Sequence, residues 1–110
     1  FKSARRLAAA LEPHVMPATP VYTVRDYDQT LPFYLRRPVT LVEYVDEFEF
    51  GEKQEPQRWV PTLARFVELW REQPGAVASI PLNVYEELVA QGLPMSVVYR
   101  DRKRVAVIRP

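Results

Sequence analysis

A three-layer α/β/α sandwich, built on a mainly parallel sheet and ending in an antiparallel hairpin, is the fold that three features of the sequence predict. Short runs of β-branched and aromatic residues alternate with segments whose apolar residues recur at helical spacing, the pattern of a parallel sheet covered on both faces. The last two apolar runs are joined by a connection around Asp101-Arg102-Lys103, too short for a crossover helix and suited to a hairpin. The 110 residues, 47% hydrophobic and 26% charged, supply one ordinary globular core.

Ser3 is a candidate N-cap for a first helix, in which Leu7, Ala8 and Leu11 recur until Pro13 stops the pattern. After a turn over Pro17 to Pro20, Val21 to Val24 reads as a short buried strand. Asp28 is placed to cap a short helical segment through Leu35, with Pro32 tolerated in its first turn. Val39 to Tyr44 is the clearest strand and is expected to lie centrally in the sheet. Asp46 to Gln57, with Gly51 and Pro56, reads as a long polar surface connection.

Pro61 is expected at the first position of the strongest helix, where Leu63, Phe66, Val67 and Trp70 fall on one face. Gln73-Pro74-Gly75 ends it, and Ala76 to Ile80 is too brief an apolar run for anything but a buried strand. Pro81 opens another helix with the expected face Leu82, Tyr85, Leu88 and Val89, closed by Gly92 and Pro94. Met95 to Tyr99 and Val105 to Ile108 complete the hairpin. Neither a repeat nor a linker divides the chain, so residues 1–110 are expected to form a single domain.

Composition removes several classes of function. With no cysteine, the chain has no disulfide, thiolate nucleophile or Cys-based zinc site. Fifteen basic and fourteen acidic residues leave a net charge of +1, against the basic footprint of a duplex-binding protein, so no nucleic-acid partner is expected. The longest uncharged stretch, Gln73 to Tyr85, is broken by Pro74, Gly75 and Pro81, where a membrane span needs about 20 mostly apolar residues. The chain begins at Phe1 without a recognisable signal peptide, and the expectation is a soluble fragment of a larger protein.

No catalytic constellation is visible. His14 is the single histidine and has no partner at metal-ligand or triad spacing, which favours a surface or structural role. Ser3, Ser79 and Ser96 lie outside any Gly-x-Ser-x-Gly elbow, and Gly51, Gly75 and Gly92 are too scattered for a phosphate loop or dinucleotide fingerprint. No catalytic, cofactor-binding or metal-ligating residue is therefore assigned. The acidic segment Glu43 to Glu55 reads as a solvated face, with Phe48 and Phe50 alternating against Glu47 and Glu49; a divalent-cation site is the alternative.

Two basic groups, Arg36 with Arg37, and Arg100, Arg102, Lys103 and Arg104 around the hairpin tip, are candidate contacts for anionic lipid headgroups. Plain solubility, and protection of an edge hairpin against aggregation, is the competing explanation. Tyr22, Tyr27, Phe33, Tyr34, Tyr44 and Trp59 could line a sugar or lipid site, though core packing is the commoner use of such residues.

One stretch carries a resemblance. The run Tyr27 to Pro38 (Tyr-Asp-Gln-Thr-Leu-Pro-Phe-Tyr-Leu-Arg-Arg-Pro), the strand to Glu43-Tyr44, Phe48-Glu49-Phe50-Gly51, and the opening Ser3-Ala4-Arg5 with Leu7-Ala8 form one such set. Together they resemble the C-terminal soluble domain of bacterial aminoarabinose transferases and related dolichyl-phosphate-mannose-protein-mannosyltransferase-like enzymes. The match covers about half the chain, residues 1–56, and the second half agrees only in its α/β pattern.

The resemblance implies a parent enzyme with many membrane helices, working at the periplasmic face of the bacterial inner membrane. Such an enzyme moves a sugar, 4-amino-4-deoxy-L-arabinose in the aminoarabinose case, from undecaprenyl phosphate to a lipid acceptor such as lipid A. The family's catalytic carboxylates and its possible divalent metal belong to the membrane part and its periplasmic loops, so no cofactor is expected in this chain. Its implied partner is the parent's own transmembrane domain. A self-standing ligand- or protein-binding module, docking its partner at the carboxyl ends of the strands, is the alternative.

Overall fold

The computed structural model describes residues 2–26, 30–43 and 58–110, the side chains of Lys2 and Ser3 excepted. The elements are α1 (Lys2–Leu11), a 3-10 turn (Glu12–His14), β1 (Val21–Val24), α2 (Thr30–Leu35), β2 (Thr40–Val42) and β3 (Trp59–Val60). They continue with α3 (Leu63–Arg71), β4 (Val77–Pro81), α4 (Leu82–Ala90), β5 (Ser96–Arg100) and β6 (Arg104–Ile108). The caps expected at Ser3 and Asp28, and the polar connection from Asp46 to Gln57, lie outside the described residues or side chains.

The six strands form one sheet in the order β3-β2-β1-β4-β6-β5. The first four neighbours pair in parallel, and β6 pairs antiparallel with both β4 and β5. All four residues of β1 are buried, as are the first four of β4, because helices cover both faces.

Strand alternation then divides the core into two layers. Val21, Val77 and Ala106 pack with Leu7, Ala8 and Leu11 of α1 and with Leu31 of α2. On the other face Tyr22, Val24, Ala78, Ile80, Val105 and Val107 pack with Phe66 and Trp70 of α3 and with Val84 and Leu88 of α4. The three-layer α/β/α sandwich with an antiparallel C-terminal hairpin is therefore the observed architecture, as the sequence predicts.

Several expectations are corrected. β2 is not central: it is second from the edge, and β1 and β4 occupy the middle. Its outer neighbour β3 has only two residues, and they owe their strand geometry to pairing with Leu41 and Val42. Helix α3 starts at Leu63, with Thr62 as N-cap accepting from the Arg65 amide at 3.1 Å, so Pro61 precedes the cap.

In α4 the buried residues are Val84 and Leu88, while Val89 is 47% exposed. This helix follows β4 without a loop, and its Leu82 and Tyr85 pack on the same core layer, as expected. It ends as expected: Gly92 adopts φ +82° and the Leu93 amide reaches back to Leu88 O at 3.0 Å, the Schellman arrangement. Helix α2 ends the same way without glycine, with Arg36 at φ +57° and the Arg37 amide donating to Pro32 O.

Candidate functional site

The richest group of polar side chains lies where β1, β2, β3 and β4 end, called here the carboxyl edge. Arg25 and Glu43 each follow directly on a strand, and both adopt left-handed backbone, at φ +58° and +55°. Their amides continue the sheet pattern, Arg25 N–H to Val42 O and Glu43 N–H to Val60 O, each at 2.8 Å. That conformation turns the two side chains into an ion pair between Arg25 Nε and Glu43 Oε1. Glu43 Oε2 accepts from the Leu63 amide at 2.9 Å, at the N-terminus of α3. The hydrogen bond from Arg25 and then the one from Leu63 hold the Glu43 carboxyl below its ordinary value.

Between β1 and β4 the chain leaves the sheet in opposite directions, to α2 on one face and to α4 on the other. This is the topological switch point at which doubly wound sheets bind ligands. Here the chain's own ion pair stands at that place: Arg104 Nη1 lies 3.6 Å from Asp26 Oδ2, and Arg104 is only 8% exposed. The Thr23 hydroxyl donates to Asp26 O at 2.7 Å and fixes the turn.

The adjacent hairpin tip is organised by Asp101, whose Oδ1 accepts from the amides of Lys103 and Arg104 and whose Oδ2 accepts from the Tyr99 hydroxyl. Burial works to raise the Asp101 carboxyl, and these donors outweigh it, so its pKa is lowered.

The basic residues singled out in the sequence do not form one surface. Arg36 and Arg37 precede β2 and so lie at the amino edge, the opposite end of the sheet from the hairpin tip. Arg37 is moreover spent on structure, its guanidinium donating to Met16 O and to Pro17 O at 2.9 Å. Arg104 is buried in its pairing with Asp26. Arg100, Arg102 and Lys103 are exposed at the tip.

Structure adds Arg6, which sequence reasoning passed over. It is exposed on α1 and close enough to Tyr99 for its charge to act on that hydroxyl. Arg25 and Asp26 were missed for a similar reason, since their partners Glu43 and Arg104 are distant in sequence.

The remaining candidates fall into structural places. His14 is exposed at the end of the 3-10 turn, Ser79 is buried in β4 and Ser96 is exposed in β5. Of the acidic segment, only Glu43 lies among the described residues. No group of three or more His, Asp or Glu side chains able to hold a metal ion occurs among the described residues, and both Glu43 oxygens are already engaged. Tyr22 packs edge-on against Phe66 and Trp70, so it is a core aromatic, while Phe33 is 76% exposed and Trp59 40% exposed. Tyr27 and Tyr44 lie outside the described residues. No described helix is long and apolar enough to cross a membrane.

The arrangement therefore pairs carboxylates with guanidinium groups and helix amides, and offers exposed cations at one end. Among curated proteins none matches the chain. Two solved structures do match, both of ArnT from Cupriavidus metallidurans. One is bound to undecaprenyl phosphate, at 41% identity and a TM-score of 0.82 over 99% of this chain. The other is in the apo state, at 41% identity and a TM-score of 0.81 over 98%. The chain spans 20% of the length of that relative. A family model described as the aminoarabinose transferase C-terminal domain matches residues 7–109. The match extends the resemblance of the first half through α3, α4 and the hairpin, and the chain belongs to the aminoarabinose transferase C-terminal domain family.

Proposed function

We propose that this chain is the periplasmic C-terminal domain of an integral-membrane glycosyltransferase, and that the domain contributes no catalytic group. The parent enzyme transfers a sugar, 4-amino-4-deoxy-L-arabinose, from undecaprenyl phosphate to a lipid acceptor such as lipid A at the periplasmic face of the bacterial inner membrane. The observation that carries the reading is 41% identity, over 99% of this chain, to an ArnT solved with undecaprenyl phosphate. This chain matches only a fifth of that relative, which leaves four-fifths of its length for carrier binding, any divalent metal and the reaction.

The chemistry of the carboxyl edge supports the division of labour. Among the described residues of that edge, Glu43 is held by Arg25 and α3 and Asp101 by the hairpin amides, while Asp26 is ion-paired with Arg104. A general acid or base needs a carboxyl free to meet substrate. The internal pair at the switch point likewise weighs against a self-standing module that takes a ligand there.

Two measurements test the proposal. The natural gene upstream of Phe1 is expected to encode successive apolar spans of about 20 residues each; an upstream sequence without them overturns the reading. The purified 110-residue chain is expected to give no transfer of sugar from undecaprenyl-phosphate-linked donor to lipid A. Measurable transfer by the chain alone would show that it carries its own active site.

A further inference from the structure

The fold gathers cations that are far apart in sequence at one end of the molecule. Helix α1 runs toward the amino edge: Met16 and Pro17, just beyond its 3-10 extension, are held by Arg37 beside the start of β2. The first half of α1 therefore points to the carboxyl edge. There Val98 and Tyr99 of the edge strand β5 pack on the same core layer as Leu7 and Leu11, and Arg6 acts electrostatically on Tyr99. Arg5 and Arg6 are thus brought to the end of the sheet that carries Arg100, Arg102 and Lys103, and all five are exposed.

The acidic side chain at the centre of this group, Asp101, is turned inward to Tyr99 and the hairpin amides. The other described carboxylates of this edge, Asp26 and Glu43, are paired with Arg104 and Arg25. The opposite helical layer differs: the exposed Glu68, Glu72, Glu86 and Glu87 of α3, its C-cap and α4 outnumber Arg65 and Arg71.

We infer that Arg5, Arg6, Arg100, Arg102 and Lys103 form a docking surface for a bilayer bearing anionic phospholipid headgroups. Charge complementarity names the occupant, because exposed cationic side chains around a hydrogen-bonded tip suit a laterally fluid anionic surface and need no shaped pocket. The inference rests on the proposed membrane parent for its physiological setting: a chain entering α1 from a preceding span would deliver this same end of the sheet to the bilayer. Arg36, at the far end, takes no part.

The experiment is co-sedimentation of the 110-residue chain with vesicles of phosphatidylcholine containing or lacking phosphatidylglycerol, at low and high salt. Binding is expected only to the anionic vesicles and is expected to fall as salt screens it. Arg102→Gln and Lys103→Gln are each expected to weaken partitioning about fivefold at low salt. Arg5→Gln with Arg6→Gln is expected to weaken it further, and Arg36→Gln to leave it unchanged. All are exposed positions, and thermal unfolding of each variant verifies that the fold is intact.

Equal binding to neutral vesicles overturns the inference, and so does equal loss in Arg36→Gln and Arg102→Gln. So does partitioning that the tip and α1 variants leave unchanged, or persistent binding at high salt. The outcome is independent of the upstream gene sequence, so failure here and failure of the glycosyltransferase reading are told apart.

Discussion

Glu43 is the residue on which the carboxyl edge turns. It accepts the left-handed conformation that glycine would take more easily, and in return its carboxylate joins the ends of β1 and β2 to the start of α3. Both members of the ion pair are partly exposed, at 30% and 41%, so its contribution is screened. Replacing Glu43 with Gln is expected to cost about 1 kcal/mol at neutral pH, a fall in Tm of about 5 °C in a domain of this size.

The pH dependence has a definite sign. Because the folded pKa of Glu43 is lowered from 4.5, its stabilisation is present above that value and is lost as pH falls below it, through the folded pKa. Thermal unfolding between neutral pH and pH 3 should therefore show a smaller acid loss in Glu43→Gln than in the parent chain. Glu43 is visible in the sequence only as the first of an acidic run; its function depends on partners 18 and 20 residues away. Arg104 was misplaced for the same reason, since nothing near the hairpin announces Asp26 as its counterion.

At the scale of elements, local chemistry was enough wherever an element depends on its own residues. Strand β1 is found at Val21–Val24 as expected, and α3 keeps the predicted Phe66 and Trp70 buried. Sheet order and strand β3 were not legible, because both depend on pairing between segments and not on periodicity. In α4 the expected Leu82, Tyr85 and Leu88 pack on the core, and the differences are Val84, which is buried, and Val89, which is exposed.

The two Schellman ends offer a direct comparison within one molecule, glycine at position 92 and arginine at position 36. Arg36→Gly removes a left-handed non-glycine residue at an exposed site, and after the added entropy of the unfolded chain it is expected to stabilise by about 0.5–1 kcal/mol. A rise in the denaturant midpoint at unchanged m-value is the signature to look for.

For the whole molecule, the heaviest single contribution to the α3/α4 core layer is Trp70. Its side chain is fully buried against Tyr22 and Phe66, and its indole N–H donates to Pro94 O at 2.7 Å, joining α3 to the segment after α4. Trp70→Phe keeps an aromatic ring and loses both volume and that bond, with an expected cost of about 2–3 kcal/mol in chemical denaturation. Trp70→Ala is expected to cost about 3–5 kcal/mol, a large share of a small domain's total stability.

The position of β6 has a consequence for how the domain is made. It is the last of the described strands, yet it lies inside the sheet, and among the described strands β5 pairs with β6 alone. While the ribosome is still adding residues 104–108, β4 lacks one neighbour and β5 lacks its pairing altogether. The β4-β6-β5 third of the sheet, and the seat that β5 provides for α1, must therefore form after these residues have emerged. Residues 104–108 thus join β5 to the strands that precede it and complete the described sheet.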